Sequence, residues 1–414
     1  MLYSSAFRRL AGITQVVSAS EGHVFHNRLT HTLKVAQVGR RLAENLHQEV
    51  TRQGHDADQV GPHPDVVETA ALAHDIGHPP FGHVAEIELQ RLLADIGVSD
   101  SFEGNAQSFR IVTQTALTSD QHPGLNLTRA SLAAVLKYPW LRCPGHPKGE
   151  VKWGAYDVDV DDFRFALDLS DTDLLPLAGS PQRFEAAIMD WADDITYAVH
   201  DLEDLWRAGL IPVDQFASRQ AVCDDFADWV RARWIRRGST ANLNDIKVAL
   251  AVFSVSFGSF EPYDGSAGQR IAIRQFTQNL IGQCIADTSV KISGGVPVLV
   301  VAPETETRVN VLKELTWRYV IERPALATQQ HGQKRVVREV FEIFCAAASK
   351  NKGYDPALLP QPLRGNLVHI SSGTNPALRA RLVCDAICLM TEQEILGLHA
   401  RLAGYEQGSI TRLP

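Results

Sequence analysis

What this chain lacks narrows its reading first. Its six cysteines (143, 223, 284, 345, 384 and 388) are scattered, with no CxxC and no compact even-numbered framework, which argues against a disulfide scaffold or a zinc module. Cys384 and Cys388 lie one helical turn apart, but two thiols from one helix without partners read as core residues. A basic excess is also missing: 40 Lys and Arg against 48 Asp and Glu leave a net charge of −8. That argues against a protein whose main business is coating nucleic acid, while a local basic pocket remains compatible with it. No charged n-region followed by an apolar stretch opens the chain, and no uninterrupted apolar run reaches membrane-spanning length, so no membrane partner is expected and the expected address is cytoplasmic. There is no internal repeat and no low-complexity tract.

What is there is a long helical pattern. The 414 residues, 45% of them hydrophobic, suffice for two domains or one with a sizeable extension. An amphipathic period near 3.6 predicts an all-α, mainly helical fold with at most a short β-hairpin. Leu29, Leu33, Val35, Val38 and Leu42 predict a helix from Asn27 to about Leu46. A second begins near Asp65, which makes a capping-box-like pair with Glu68, and runs until Gly77, Pro79 and Pro80 stop it; a third spans about Phe81 to Gly97. Between Pro181 and Gly209 a longer helix carries Ile188, Trp191, Ile195, Ala198, Leu202 and Leu205 as one stripe. Segments 238–244 and 256–268 read as loops, and Gly294-Gly295 followed by residues 296–301 as a strand or hairpin arm. Helical spacing returns at 305–322 and 334–349, where Val337, Val340, Phe341 and Phe344 make one face. A soft boundary near 211 separates residues 1–210 from 211–414, with a core shared across it as the open alternative.

Nine of the fifteen histidines fall between His23 and His83. His23, His47, His55 and His63 read as solvated surface. His74-Asp75 falls on the last turn before Gly77, where a helix C-terminus carries partial negative charge and suits a cation. His31, from the preceding helix, meets that pair if the two helices pack antiparallel; a buried His–Asp hydrogen bond is the alternative. Asp193, Tyr197 and Asp201, spaced i, i+4, i+8, stack along one face beside the apolar stripe, with a solvated acidic face as the alternative. Two imidazoles and two carboxylates suit one divalent ion such as Mn²⁺, Mg²⁺, Fe²⁺ or Co²⁺, and zinc also fits. Such an ion polarises a phosphoryl group and lowers the pKa of bound water from about 15.7 towards neutrality, which implies phosphoester or phosphoanhydride hydrolysis. His83 and Glu86, i, i+3 at a helix start, form either a general acid with its orienter or a capping carboxylate beside a surface imidazole. His78 reaches a phosphate or caps the helix end.

Five blocks in order resemble the HD-domain deoxynucleoside triphosphate triphosphohydrolases, which include bacterial dGTPases and the mammalian SAM-and-HD-domain dNTPase. They are Ser5-Ala6-Phe7-Arg8-Arg9-Leu10, Arg28-Leu29-Thr30-His31-Thr32, the run from His74-Asp75 to Gly82-His83, Phe102-Glu103-Gly104-Asn105-Ala106-Gln107, and Ala192-Asp193-Asp194-Ile195-Thr196-Tyr197. The likeness is good to about residue 210 and weaker beyond it. It implies an HD-domain helical core with a helical C-terminal extension, metal ligands at His31, His74, Asp75 and Asp193, and cleavage of a dNTP, dGTP first, to deoxynucleoside and inorganic triphosphate. Asp194 is the rival for the fourth ligand.

By the same resemblance, Arg28 matches a phosphate-binding arginine, Tyr197 and Asp201 match positions at the deoxyribose and its 3′ hydroxyl, and His83 with Glu86 match the pair that protonates the departing 5′ oxygen. His78 matches a phosphate contact. Lys137 is a second choice after Arg28 for neutralising the triphosphate. A homo-oligomer, hexamer or tetramer, is implied, and an allosteric dNTP or single-stranded DNA is a further candidate partner, although no basic aromatic stripe supports the DNA. Two departures stand out: the first block begins almost at Met1, and Ile13 stands where many members have lysine. The alternatives are another HD phosphohydrolase (nucleoside monophosphatase, cyclic-nucleotide phosphodiesterase or guanosine tetraphosphate hydrolase) and a dNTP sensor without turnover.

Overall fold

The computed structural model describes residues 1–15, 27–116, 119–240, 242–256, 263–349, 355–368 and 376–406; His23 and residues 257–262 of the expected 256–268 loop lie outside them. Among the described residues the chain is helical apart from one two-stranded antiparallel sheet, Thr288–Ser293 with Val296–Val301. The expected fold class and hairpin are therefore both present. None of the described helices is long and apolar enough to cross a membrane.

The helix Arg28–Arg52 begins where the extended Asn27 accepts a hydrogen bond from Thr30 N at 3.0 Å, and it continues past the expected end at Leu46 because Val50 prolongs the buried face. The next long helix, Pro64–Ala73, does not use the expected capping-box pair. Pro64 takes the first helical position, where a missing N–H costs nothing, so Asp65 lies inside the helix. Asp65 and Glu68 turn instead to Arg40 of the neighbouring helix, Asp65 at 2.7 Å.

Helix Arg28–Arg52 packs antiparallel on Pro64–Ala73, and both pack on Phe184–Arg207. Gly39 permits this triple approach: a Cβ there would stand 3.2 Å from Val67 Cγ1 and 3.4 Å from Ala192 Cβ. The stripe from Ile188 to Leu205 is buried throughout against these neighbours, each large apolar side chain contributing about 1.5–3 kcal/mol.

The apolar core does not break at residue 211. Phe216, Phe253, Leu312 and Leu315 share one continuous cluster with Leu42 and Ile188. A second cluster joins Leu89, Leu93 and Phe102 to Val337, Phe341 and Phe344 and to the thiols of Cys384 and Cys388, which are core residues. The helix bearing that face begins well before residue 334, at Pro324, and ends at Ala348. Buried ion pairs add to the clasp: Arg110 reaches Asp159 at 2.6 Å and Asp385 at 2.9 Å, and Arg381 reaches Asp100 at 2.6 Å. The late helices thereby close over one side of the early ones, and a cavity remains between them.

Candidate active site

Three packed helices deliver the expected ligands to one end of the bundle. His31 comes from the first turn of Arg28–Arg52, His74 and Asp75 lie just past Ala73, and Asp193 projects from the middle of Phe184–Arg207. His31 Nε2 lies 3.1 Å from Asp193 Oδ1, and His74 Nε2 lies 3.6 Å from that same oxygen and 3.6 Å from Asp75 Oδ1. The ligand atoms of His31, His74 and Asp193 fall within 4.8 Å of one another. Asp194 turns away and pairs with Lys313 at 2.7 Å.

The hydrogen bonds and charges of this cluster are compatible with a bound cation. His74 Nδ1 donates to the Ala71 carbonyl at 2.6 Å, which leaves the ring lone pair on Nε2. That Nε2 is buried and has no hydrogen-bond partner. A lone pair facing two carboxylates inside a protein is repulsive, and a cation between them relieves it. Burial lowers the His31 pKa and outweighs the pull of Asp193, so the ring is neutral. Burial opposes the charge on Asp193, yet the Lys137 ammonium, joined by the hydrogen bond from His31, holds its carboxyl well below the usual range. Burial likewise opposes Asp75, and Arg28, with His78, overcomes it. A neutral His31 and anionic carboxylates are the forms a divalent ion requires.

A second group sits beside the first. Glu86, buried on the first turn of helix His83–Ile96, accepts from His83 Nδ1 at 3.1 Å and from His78 Nδ1 through its other oxygen. Burial disfavours its charge, but His78 and His83 hold it ionised. His83 is the exposed member, its side chain 69% accessible at the cavity mouth. His78 differs from the expected phosphate contact, because its Nε2 lies 3.0 Å from Asp75 Oδ1 and its Nδ1 is on Glu86. Burial and Arg28 lower its pKa, and Glu86 and Asp75 together raise it above the ordinary value. His78 thus links the ligand cluster to the His83–Glu86 pair, with no ring nitrogen left over for a phosphate.

These groups open into a cavity of about 470 Å³. Arg28 donates to Asp75 Oδ2 at 2.6 Å and runs beside Gly82, where a Cβ would stand 3.0 Å from its Nη2. Gly82 also has φ +55°, so both space and backbone call for glycine. Lys137 lines the wall and reaches Asp190 at 2.6 Å and Asp193 at 3.2 Å; burial opposes its charge and those carboxylates secure it. Tyr197 lines the cavity as well. Asp201 does not: it lies buried behind the lining, with Oδ2 unpartnered, and burial, reinforced by Asp204 and Asp193, raises its carboxyl well above the ordinary value.

Sequence reasoning missed several residues here. Lys152, Trp317, Gln330 and Lys334 also line the cavity, and no local pattern marks them. Arg9 is different, since it lies in the quoted Ser5–Leu10 block. Its buried guanidinium donates to the carbonyls of Ile76 at 2.7 Å, His78 at 2.8 Å and Met390 at 3.0 Å, bracing the ligand-bearing turn against the C-terminal region. Glu392 accepts from Thr14 N and Phe81 N at 2.8 and 3.2 Å and ties three distant segments together.

Comparison with known proteins agrees with this geometry. A family model described as HD domain matches residues 28–198, and one described as phosphohydrolase-associated domain matches residues 299–401. The chain is 36% identical to the deoxyguanosinetriphosphate triphosphohydrolase-like protein of Streptomyces coelicolor, over 98% of this chain and 91% of that one. It is 32% identical to the protein of the same name from Corynebacterium efficiens, over 98% and 89%. A Mesorhizobium japonicum protein, deoxyguanosinetriphosphate triphosphohydrolase-like protein 2, is 30% identical over 97% and 91%. With these matches spanning nearly its whole length, the chain belongs to the HD-domain family of deoxyguanosinetriphosphate triphosphohydrolase-like proteins.

Proposed function

We propose that the protein hydrolyses deoxynucleoside triphosphates, dGTP being the leading candidate, to deoxynucleoside and inorganic triphosphate, with one divalent ion at His31, His74, Asp75 and Asp193. The observation that carries this reading is the buried His74 Nε2, without a hydrogen-bond partner and facing two carboxylates, in a cavity also lined by His83, which Glu86 holds from behind, and by several cations. The ion, when bound, supplies Lewis-acid activation of water and of the phosphoryl group.

The chain's own residues do the rest. Arg28 and Lys137, with Lys152 beside them, neutralise the triphosphate, a task suited to preorganised cations in a site partly closed to water. The His83 Nδ1–H is held by ionised Glu86, so proton exchange with substrate falls to His83 Nε2, which delivers a proton to the 5′ oxygen as its bond to the α-phosphorus breaks. His78, held between Asp75 and Glu86, fixes both carboxylates relative to one another. Tyr197 packs against the sugar and leaves no room for a 2′ hydroxyl. Asp201, one turn on, lies behind the lining and backs Tyr197, so the expected contact with the 3′ hydroxyl is not made by its side chain as placed.

The test is to incubate the protein with each dNTP and Mn²⁺ and separate the products. Deoxynucleoside with triphosphate supports the reading, and orthophosphate or pyrophosphate sinks it in favour of another HD phosphohydrolase. His74→Ala and Asp193→Ala should both abolish turnover; retention in both refutes the ligand assignment.

A further inference from the structure

Helix His83–Ile96 starts at Gly82 with no side-chain capping bond. The turn that leads into it is left-handed at two successive residues, Phe81 at φ +69° and Gly82 at φ +55°. Glycine takes that backbone freely, whereas a bulky residue keeps it only where the surroundings enforce it. Helix Arg28–Arg52, which carries Arg28 and His31, starts beside a short bridge: Thr14 pairs with Asn27, and Arg28 N donates to the Ile13 carbonyl at 3.0 Å. The two starts abut, since a Cβ on Gly82 would stand 3.0 Å from Arg28 Nη2.

One carboxylate meets both segments. Glu392 Oε1 accepts from Thr14 N at 2.8 Å and from Phe81 N at 3.2 Å, and its Oε2 accepts from the Thr14 hydroxyl at 2.8 Å. The chain around Glu392 is itself anchored. Met390 O accepts from Arg9 at 3.0 Å, Thr391 caps helix Glu392–Leu402, and a Cβ on Gly12 would stand 2.7 Å from Thr391 Cγ2. Ile395 and Leu398 bury that helix in the cluster that holds Leu89 and Leu93. Thr14 and Phe81 line the cavity and Glu392 does not, so its influence on a substrate passes through them. We infer, building on the assignment of His83 as proton donor to the 5′ oxygen, that Glu392 is a positioning residue: its carboxylate holds the turn that aims His83 and the bridge that seats Arg28. Fixing both from one point sets the distance between the cation that grips the triphosphate and the group that protonates its leaving oxygen. A misplacement of about 1 Å in such a constellation costs roughly 10²-fold in rate.

The test compares full-length wild type, Glu392→Ala, Glu392→Gln and His83→Ala, with thermal melts to check folding. In Glu392→Gln the amide oxygen accepts from both backbone amides and the NH₂ donates to the Thr14 hydroxyl, so this variant should behave like wild type. Glu392→Ala should lower kcat on dGTP by up to roughly 10²-fold and raise KM, because the seat of Arg28 loosens as well. On an analogue whose 5′ bridging atom is sulfur, which leaves without a proton, its loss in kcat should shrink as that of His83→Ala does. A mere fall in folded protein lowers kcat equally on both substrates and leaves KM unchanged. Hydrogen exchange without nucleotide gives a second readout: residues 12–15 and 79–86 should exchange faster in Glu392→Ala and at the wild-type rate in Glu392→Gln. Wild-type kinetics or wild-type exchange in Glu392→Ala overturns the inference, as does failure of Glu392→Gln to restore both. If His83→Ala distinguishes the two substrates and Glu392→Ala does not, the fault lies in the role given to Glu392. If His83→Ala fails to distinguish them, or wild type turns over no dNTP, the functional reading falls, and exchange alone decides whether Glu392 holds the two segments.

Discussion

Removing the His83–Glu86 pair one member at a time gives the sharpest test of the chemistry. Glu86 accepts from His83 and His78 through separate oxygens. In Glu86→Gln the amide keeps one acceptor and gains a donor, so one imidazole faces an N–H in place of a carboxylate. Losing a hydrogen bond to a charged group costs about 1.5–3 kcal/mol, or roughly 10- to 150-fold in kcat if the bond matters most in the transition state. His83→Ala removes the proton donor itself and should cost roughly 10²- to 10⁴-fold. KM should change little in either variant, because the triphosphate is held by Arg28 and the lysines. The assay is chromatographic release of deoxyguanosine from dGTP with Mn²⁺, repeated on an analogue whose 5′ bridging atom is sulfur. A thiolate departs without a proton, so His83→Ala should lose far less on the sulfur-bridged substrate than on dGTP. Equal losses on both substrates, or a kcat for His83→Ala within about threefold of wild type, would refute the general-acid assignment.

Three further outcomes follow from the same structure. Gly82→Ala places a side chain at φ +55° and 3.0 Å from Arg28 Nη2; it should cost about 1–3 kcal/mol of stability and raise KM for dGTP more than it lowers kcat, and an unchanged KM contradicts the placement of Arg28. Arg9→Ala strips the donor from two carbonyls of the ligand-bearing turn and from that of Met390; a loss of about 1–3 kcal/mol for each buried carbonyl left unsatisfied is expected in denaturant unfolding, and a wild-type midpoint contradicts it. Asp201 has a folded-state pKa raised above its ordinary value of 3.8, chiefly by burial, so its protonated form stabilises the fold below that value and the stabilisation is lost as pH rises towards the folded pKa. Asp201→Asn mimics the protonated carboxyl and should flatten this decline at pH values above 3.8; melting curves that keep the wild-type pH dependence show the group is not buried neutral.

Much of the fold was legible because its cause is local. The 3.6-residue stripe from Ile188 to Leu205 and the face from Val337 to Phe344 are buried as their spacing requires, and the two glycines at 294 and 295 turn the hairpin. The capping-box reading failed at Asp65 because a neighbouring helix supplied Arg40, a partner that spacing along one segment does not reveal. At the candidate site, His31, His74, Asp75 and Asp193 stood out by residue type and helix position. Their second partners did not: Lys137 on Asp193, Ala71 on His74 and His78 between two carboxylates depend on how segments cross. Trp317, Gln330 and Lys334 reach the same cavity from the far half of the chain and carry no motif. Arg9 meets the site through backbone carbonyls and Glu392 through the backbone N–H groups of Thr14 and Phe81 and the Thr14 hydroxyl, so side-chain chemistry along one segment gave no reason to choose them.

The central claim is that water attacks the α-phosphorus and expels the 5′ oxygen. Turnover of dGTP in H₂¹⁸O with Mn²⁺, followed by mass spectrometry of both products, tests it most directly. The account predicts one ¹⁸O in the inorganic triphosphate and none in the deoxyguanosine, with His74→Ala giving neither product. Label in the deoxyguanosine 5′ hydroxyl, or label appearing in orthophosphate or pyrophosphate with a nucleotide as the other product, would contradict it.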